Sequence, residues 1–267
     1  MHDLAFVVAG FAVGFIVGLT GVGGGSLMTP VLIFFFGVKP HLAIGTDLLF
    51  AAFTKMGGTV SMARQRLVPW RVVGQLCAGS IPAALLSLWA LQSLGPASAV
   101  AQRIMTTTLG FALLLTAAAT LYKVVAFSRE RQAADQAKRQ ASSEESTRPR
   151  HWSLPVLLGA VIGTLVTFTS VGAGAIGVTV LLLVYPLLPL PRVIGADIAY
   201  AVPLTLVAGL GHATLGSVDW PLLAQLLAGS LPGIWLGSRL VTRTPERLIR
   251  SVLSVLLAWA GAKLILI

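Results

Sequence analysis

Two glycine-rich runs, one lysine and two aspartates carry the chemistry this sequence can offer. Thr20-Gly21-Val22-Gly23-Gly24-Gly25-Ser26 and Thr169-Ser170-Val171-Gly172-Ala173-Gly174 each lead into an apolar stretch that reads as a helix. Glycine lets successive backbone N–H groups converge without side-chain obstruction, and a helix N-terminus presents unpaired amides with a dipole that favours negative charge. Both runs are therefore candidate anion sites. Thr20, Gly21, Gly23, Gly24, Gly25 and Ser26 would supply the first, and Thr169, Ser170, Gly172 and Gly174 the second. The same small residues would also let helices pack closely in a bilayer. A nucleotide-phosphate loop is excluded, because no Lys-Ser or Lys-Thr follows the glycines.

Lys55 falls near the middle of an apolar segment, where a bare charge costs at least about 2.5 kcal/mol and needs a partner or water. It could neutralise an anionic substrate or pair with an acid such as Asp47; its counterpart in the second half is Thr205. Asp47 and Asp197 recur in both halves near segment starts. Each could exchange protons in an ion-coupled cycle, or simply cap exposed amides at a helix start. Gln75 and Gln225 recur too, as interhelical or substrate hydrogen-bonding groups. Pro82 and Pro232 each remove a backbone hydrogen bond inside a helix and are hinge candidates. His212, at a segment end, reads as an interfacial hydrogen bonder. The lone Cys77 reads as a small packing residue. No His/Cys/Glu cluster marks a metal site and no nucleophile has a base nearby, so catalytic residues, metals and cofactors are not expected.

The elements that must position these residues come in two copies at an offset of about 150. Gly45-Thr46-Asp47 faces Gly195-Ala196-Asp197, Trp70 faces Trp220, and Ala78-Gly79-Ser80-Ile81-Pro82 returns as Ala228-Gly229-Ser230-Leu231-Pro232. The chain is 56% hydrophobic and 10% charged, with a mean hydropathy of +0.88. Soluble domains carry about a quarter charged residues, so this is an integral membrane protein whose chief partner is the bilayer. Of its 19 Lys and Arg residues, 11 lie in segments 123–150 and 239–250, a topology signal rather than a nucleic-acid surface.

The expected fold is an all-α polytopic bundle of two repeats, 1–126 and 151–267, joined by a polar cytoplasmic linker, 127–150, of partial helix or disorder. Five apolar segments per repeat are drawn at 4–20, 25–37, 42–62, 71–94 and 103–126, then 153–170, 174–189, 193–213, 220–240 and 248–267. The second of each is short for a crossing, so the first two are expected to form a hairpin broken by the glycine turn inside the membrane, with two tilted short helices as the alternative. Arg64, Arg66 and Arg71 occupy a loop whose counterpart, 212–220, has no Lys or Arg; the next loops show the reverse, Arg103 alone against Arg239, Arg243, Arg247 and Arg250. Basic loops face the cytoplasm, so the two halves are expected to be inverted, with both termini outside. Duplicated, inverted halves with broken short segments are the signature of a secondary transporter. An anion channel, or a membrane-embedded sensor or assembly subunit, would share much of this pattern.

At these residues the chain resembles the sulfite exporter TauE/SafE family of membrane transporters. The resemblance rests on Gly14 to Leu32 with its glycine run, on Gly37-Val38-Lys39-Pro40-His41 leading to Gly45-Thr46, on His212-Ala213-Thr214-Leu215-Gly216-Ser217-Val218-Asp219-Trp220, and on Thr244-Pro245-Glu246-Arg247-Leu248. It implies a carrier in the bacterial inner membrane for a small sulfur-containing anion such as sulfite or an organosulfonate, proton-linked in one form, and compatible with a homo-oligomer. Two departures from the family pattern stand out: Met62 to Trp70 in place of the fuller His-to-Trp stretch, and the charges of Asp47 and Lys55.

Overall fold

The computed structural model describes residues 2–20, 25–140, 153–172, 174–185, 188–240 and 246–266, with the backbone alone at 2–3, 20, 25–26, 122–140, 175, 240, 246–253 and 266. The described residues form ten helices: α1 His2–Thr20, α2 Gly25–Phe36, α3 Pro40–Arg64, α4 Trp70–Leu94, α5 Ala99–Gln140, α6 Ser153–Thr169, α7 Ala175–Val184, α8 Leu190–Thr214, α9 Trp220–Leu240 and α10 Glu246–Leu266. Sequence and structure differ most at two boundaries. Helix α5 continues beyond 126 to Gln140, so half of the expected linker is helical, and α7 stops at Val184 instead of 189. The rest of the linker, 141–150, lies outside the described residues, as do Gly21, Gly23 and Gly24 of the first glycine run.

Local chemistry repeats with the sequence. Helices α3 and α8 both open with proline in the first two positions, where its missing N–H is harmless and its fixed φ suits the helix. Both close the same way: Arg66 at φ 56° and Gly216 at φ 68° turn the chain in the left-handed conformation, so the first half uses an arginine where the second uses glycine.

The two halves interleave. Helix α1 packs on α9 and α6 on α4, while α3 packs on α8 and α5 on α10. Along α1, Gly10, Gly14 and Gly18 face Leu226, Ser230 and Ile234 of α9, in the same order, so these helices run parallel. Gly159 and Gly163 of α6 face Leu76 and Ser80 of α4 in the equivalent register. At each position a β-carbon would collide with backbone of the facing helix, so only glycine permits this approach. Helices α3 and α8 run antiparallel, with Gly209 on Leu49, Gly58 beside Ile198 and Gly45 on Ser217. Exchanging one half for the other maps this set of pairings onto itself.

The register also fixes how far the second hairpin reaches. Helix α6 ends at Thr169, which the Gly159–Leu76 and Gly163–Ser80 contacts bring level with residue 86, and α4 runs on to Leu94, about 12 Å further. The turn after α6 is thus enclosed short of the end of α4.

The bundle is apolar outside and largely apolar within, with a minority of polar groups buried among its core residues. Leu86, Trp89, Phe111 and Leu157 are more than half exposed, whereas Thr29, Thr46, Asp47 and Thr205 are buried. Helix α4, residues 99–121 of α5, and α8 are long and apolar enough to cross a bilayer by length and composition. Exposed Trp70 and Trp220 open α4 and α9, and Arg239 stacks 3.7 Å from the Trp235 ring centre near the end of α9, the arrangement of side chains at membrane–water boundaries.

Candidate binding site

The turn between α6 and α7 is held open by its own side chain. The Thr169 hydroxyl donates within the turn, lying 2.6 Å from the Leu165 carbonyl and 3.0 Å from that of Val171, and accepts from the Val171 amide at 3.1 Å. It is therefore consumed in closing α6. Ser170 takes φ 58°, and Gly172 and Gly174 take φ 134° and 142°, a region side chains rarely enter. The Gly177 and Val178 amides bond to the Gly172 and Gly174 carbonyls at 3.0 Å, while no side chain caps α7. Helix α7 thus begins behind a glycine turn with no side-chain cap. In the other half, Thr20 closes α1 and Gly25 and Ser26 open α2.

Asp47 is not a helix cap. It lies two turns inside α3, fully buried, and its Oδ2 accepts a hydrogen bond from the Thr29 hydroxyl of α2. Its Oδ1 has no hydrogen-bond donor. The buried Ser170 hydroxyl lies beside the same carboxylate, also without an aligned partner. Asp197 sits at the equivalent place in α8, so the capping explanation fails there too; its carboxylate and the Tyr200 hydroxyl cover the Cα of Gly177. Because α3 and α8 are antiparallel, with Thr59 reaching the Ile198 carbonyl at 3.4 Å, the two aspartates stand about 20 Å apart along the helices.

Lys55 lies between them, 6% exposed, the only buried Lys or Arg among the described residues. Both carboxylates act on its ammonium, Asp197 more strongly than Asp47. Its counterpart Thr205 is buried and donates to the Ala201 carbonyl at 2.8 Å, a self-contained helix contact. The symmetry of the fold is broken at this point by one positive charge.

Other sequence candidates fall outside this cluster. Gln75 accepts from the Tyr185 hydroxyl at 2.7 Å, tying α4 to the end of α7. Pro82 and Pro232 face outward, one turn from the interfaces made by Gly79 and Gly229. Pro30 and Pro203 also lie inside helices, α2 and α8, and were not singled out by sequence.

His212 is fully buried rather than interfacial. Its Nε2 lies 3.0 Å from the Thr167 carbonyl, which can only accept, so Nε2 carries the hydrogen and ties α8 to the last turn of α6 just before Ser170. The equivalent first-half residue, Met62, has no such donor. His212→Met is expected to lower stability by about 1–2 kcal/mol, and His212→Gln, which keeps an N–H donor, by less than half of that. Thermal unfolding of the two purified variants checks this; equal losses would show that the bond to Thr167 contributes nothing.

Thr29 and Tyr200 are the residues sequence reading missed. Thr29 had a signal: Thr179 follows it at the same offset of 150 that relates Asp197 to Asp47.

An apolar helical bundle with a few buried charges agrees with what the chain is similar to. Residues 6–264 match the family model described as Sulfite exporter TauE/SafE. A probable membrane transporter protein of Bacillus subtilis, YjnA, is 32% identical over 98% of this chain and 100% of its own length. A second from that organism, YdhB, is 25% identical over the same shares, and one from Xylella fastidiosa is 28% identical over 88% of this chain and 83% of its own. No solved structure matches the chain. A family match running through every helix, together with a relative aligned end to end, joins the buried charges to a lineage of transporters and not of enzymes: the chain belongs to the sulfite exporter TauE/SafE family of membrane transporters.

Proposed function

We propose that the protein is an alternating-access carrier of a small anion, a sulfur oxyanion or organosulfonate, in the bacterial inner membrane. The observation that carries this reading is the Ser170–Gly174 turn leading into an α7 N-terminus that no side chain caps, with the buried Lys55 ammonium acting on the Asp197 carboxylate that lies against the first turn of α7 at Gly177. Backbone amides, a helix dipole and one ammonium suit a compact oxyanion that must shed its water. The first glycine run, Thr20 to Ser26, would offer the equivalent end from the other side. Sulfur chemistry comes from the family's name; the relatives themselves are named only as probable membrane transporters.

Alternating access follows from the duplication. The exchange-symmetric packing and the opposite charge of equivalent loops support two halves inverted in the membrane, with residues 127–150 cytoplasmic and both termini outside. In such folds one hairpin can open to each side by exchanging roles with the other. On this reading the coupling charge would be carried at one of the two buried carboxylates, Asp47 or Asp197.

The test is thermal unfolding of detergent-purified protein against sulfite, sulfate, thiosulfate, sulfoacetate and a set of carboxylates. A substrate that binds the folded state raises the midpoint by mass action, equivalent to about 2.7 kcal/mol at one hundred times Kd. A sulfur oxyanion should stabilise the protein and be taken up or exported by proteoliposomes in a saturable manner. Stabilisation by carboxylates alone would overturn the sulfur assignment, and flux without saturation or counterflow would overturn the carrier.

A further inference from the structure

We propose that Asp47, Thr29 and Ser170 form a binding site for a monovalent metal cation, Na+ by its oxygen-only surroundings, and that this cation is the co-ion of the transport cycle. The co-ion role rests on the carrier reading above, whereas the site itself does not.

Charge is the first argument. Lys55 lies within electrostatic reach of both Asp47 and Asp197 along α3 and α8, so with both carboxylates ionised one negative charge in the membrane interior has no counter-charge among the three. An unbalanced buried charge is strongly unfavourable, so one further positive charge must accompany the cluster. Lys55 answers chiefly to Asp197, which leaves Asp47 as the carboxylate to be balanced.

Geometry is the second argument. Asp47 is 0% exposed, with Oδ2 engaged by Thr29 and Oδ1 without a donor, and Ser170, 4% exposed, holds an unpartnered hydroxyl beside it. A proton on Oδ1 would need a single acceptor. Here a carboxylate meets hydroxyls from two other helical hairpins at the C-terminal end of α6, whose dipole places negative charge at the same point. Carboxylate, hydroxyl and helix C-terminal oxygens around a broken helix are the surroundings in which transporters hold Na+. The turn therefore has two ends of opposite sense: α6 closes on a cation and α7 opens on an anion. Asp197 differs from Asp47 in two respects: the residue equivalent to Ser170 is Gly21, which has no hydroxyl to offer, and Lys55 is drawn more strongly to Asp197.

Thermal unfolding of the purified full chain at constant ionic strength, with NaCl replaced stepwise by choline chloride and by KCl, tests the site. The midpoint should rise with Na+ and saturate, and Asp47→Asn should abolish the dependence while Asp197→Asn keeps it. Ser170→Gly should weaken the apparent Na+ affinity about tenfold. That variant suits φ 58°, and glycine already stands at the equivalent position, Gly21, so the fold is retained. No Na+ response in the wild type, or a response that survives Asp47→Asn, would overturn the site. So would a midpoint that follows pH but not Na+ and loses that dependence in Asp47→Asn, which would assign a proton. None of these readings involves an anion, so a failed Na+ titration leaves the anion carrier standing, and a failed anion panel leaves the cation site standing.

Discussion

Gly79→Val is expected to yield no monodisperse protein after detergent extraction, a destabilisation of about 3 kcal/mol or more. A β-carbon on Gly79 would overlap the Val156 carbonyl and crowd the Ala160 amide, both backbone atoms of α6 that no rotamer change can move. The two helices would have to separate along their length, and the contacts made by Gly159 on Leu76 and Gly163 on Ser80 would open with them. Without a hydrophobic drive between helices in lipid, such close packing is the main attraction holding the pair. Gly229→Val should do equal damage, because its β-carbon would meet the Val7 carbonyl of α1 in the same way. Gly74→Val, one turn away and facing open space, should change the midpoint by no more than about 0.5 kcal/mol. Size-exclusion profiles and unfolding midpoints of the three variants decide the matter. A well-behaved Gly79→Val protein would mean that α4 and α6 do not approach as described.

The same glycines explain why so much of the fold was legible. Ala78-Gly79-Ser80 and Ala228-Gly229-Ser230 stood out as the best internal match, and they are the residues on which the two interleaved helix pairs close. Hydropathy placed the segments within a few residues, because in a bilayer an apolar run and a helix are nearly the same statement. What pattern could not show was partnership. Asp47 looked like a cap because it lies near the start of the segment drawn at 42–62, yet the helix starts at Pro40 and carries it two turns inside, opposite Thr29 and Ser170 of other elements. His212 looked interfacial because it ends a segment, but the chain folds back over it at Ser217, whose amide bonds the His212 carbonyl at 2.9 Å. Helix α5 outran its apolar stretch because the Ala/Gln/Arg-rich residues after 126 favour helix without needing burial.

Duplication also sharpens what the differences between halves mean. Most paired positions repeat type for type, so a mismatch at the centre is informative in a way that a single copy would not allow. Lys55 against Thr205 and His212 against Met62 both fall in the α3–α8 pair, and they fall on opposite halves. One adds a charge between the two carboxylates, and the other anchors one glycine turn through Thr167. On the proposed carrier reading the two end states would be similar but not identical, and these residues would give each a different set of contacts.

Lys55→Met should cut transport of the identified anion by about 100-fold or more, the effect of losing one buried charge contact of about 3 kcal/mol. Methionine keeps the length and flexibility of the lysine stem and removes only the charge. Two carboxylates then remain in the interior with no cation of the chain's own, and the fold itself should lose about 3–5 kcal/mol. Stability and transport can be separated by a second change: Lys55→Met with Asp197→Asn restores the charge balance and should recover most of the unfolding midpoint without recovering transport. If the double variant transports, Lys55 serves only to neutralise Asp197 and has no part in substrate binding. If the chain holds both the anion and the cation proposed above, the two sites should respond with opposite sign. Removing the ammonium weakens anion stabilisation, while Na+ stabilisation through Asp47 strengthens because a nearby positive charge has gone. A single lysine that attracts one ligand and repels the other is a direct means of coupling them, since the protein that holds the cation and the protein that holds the anion then differ in where that one charge is directed.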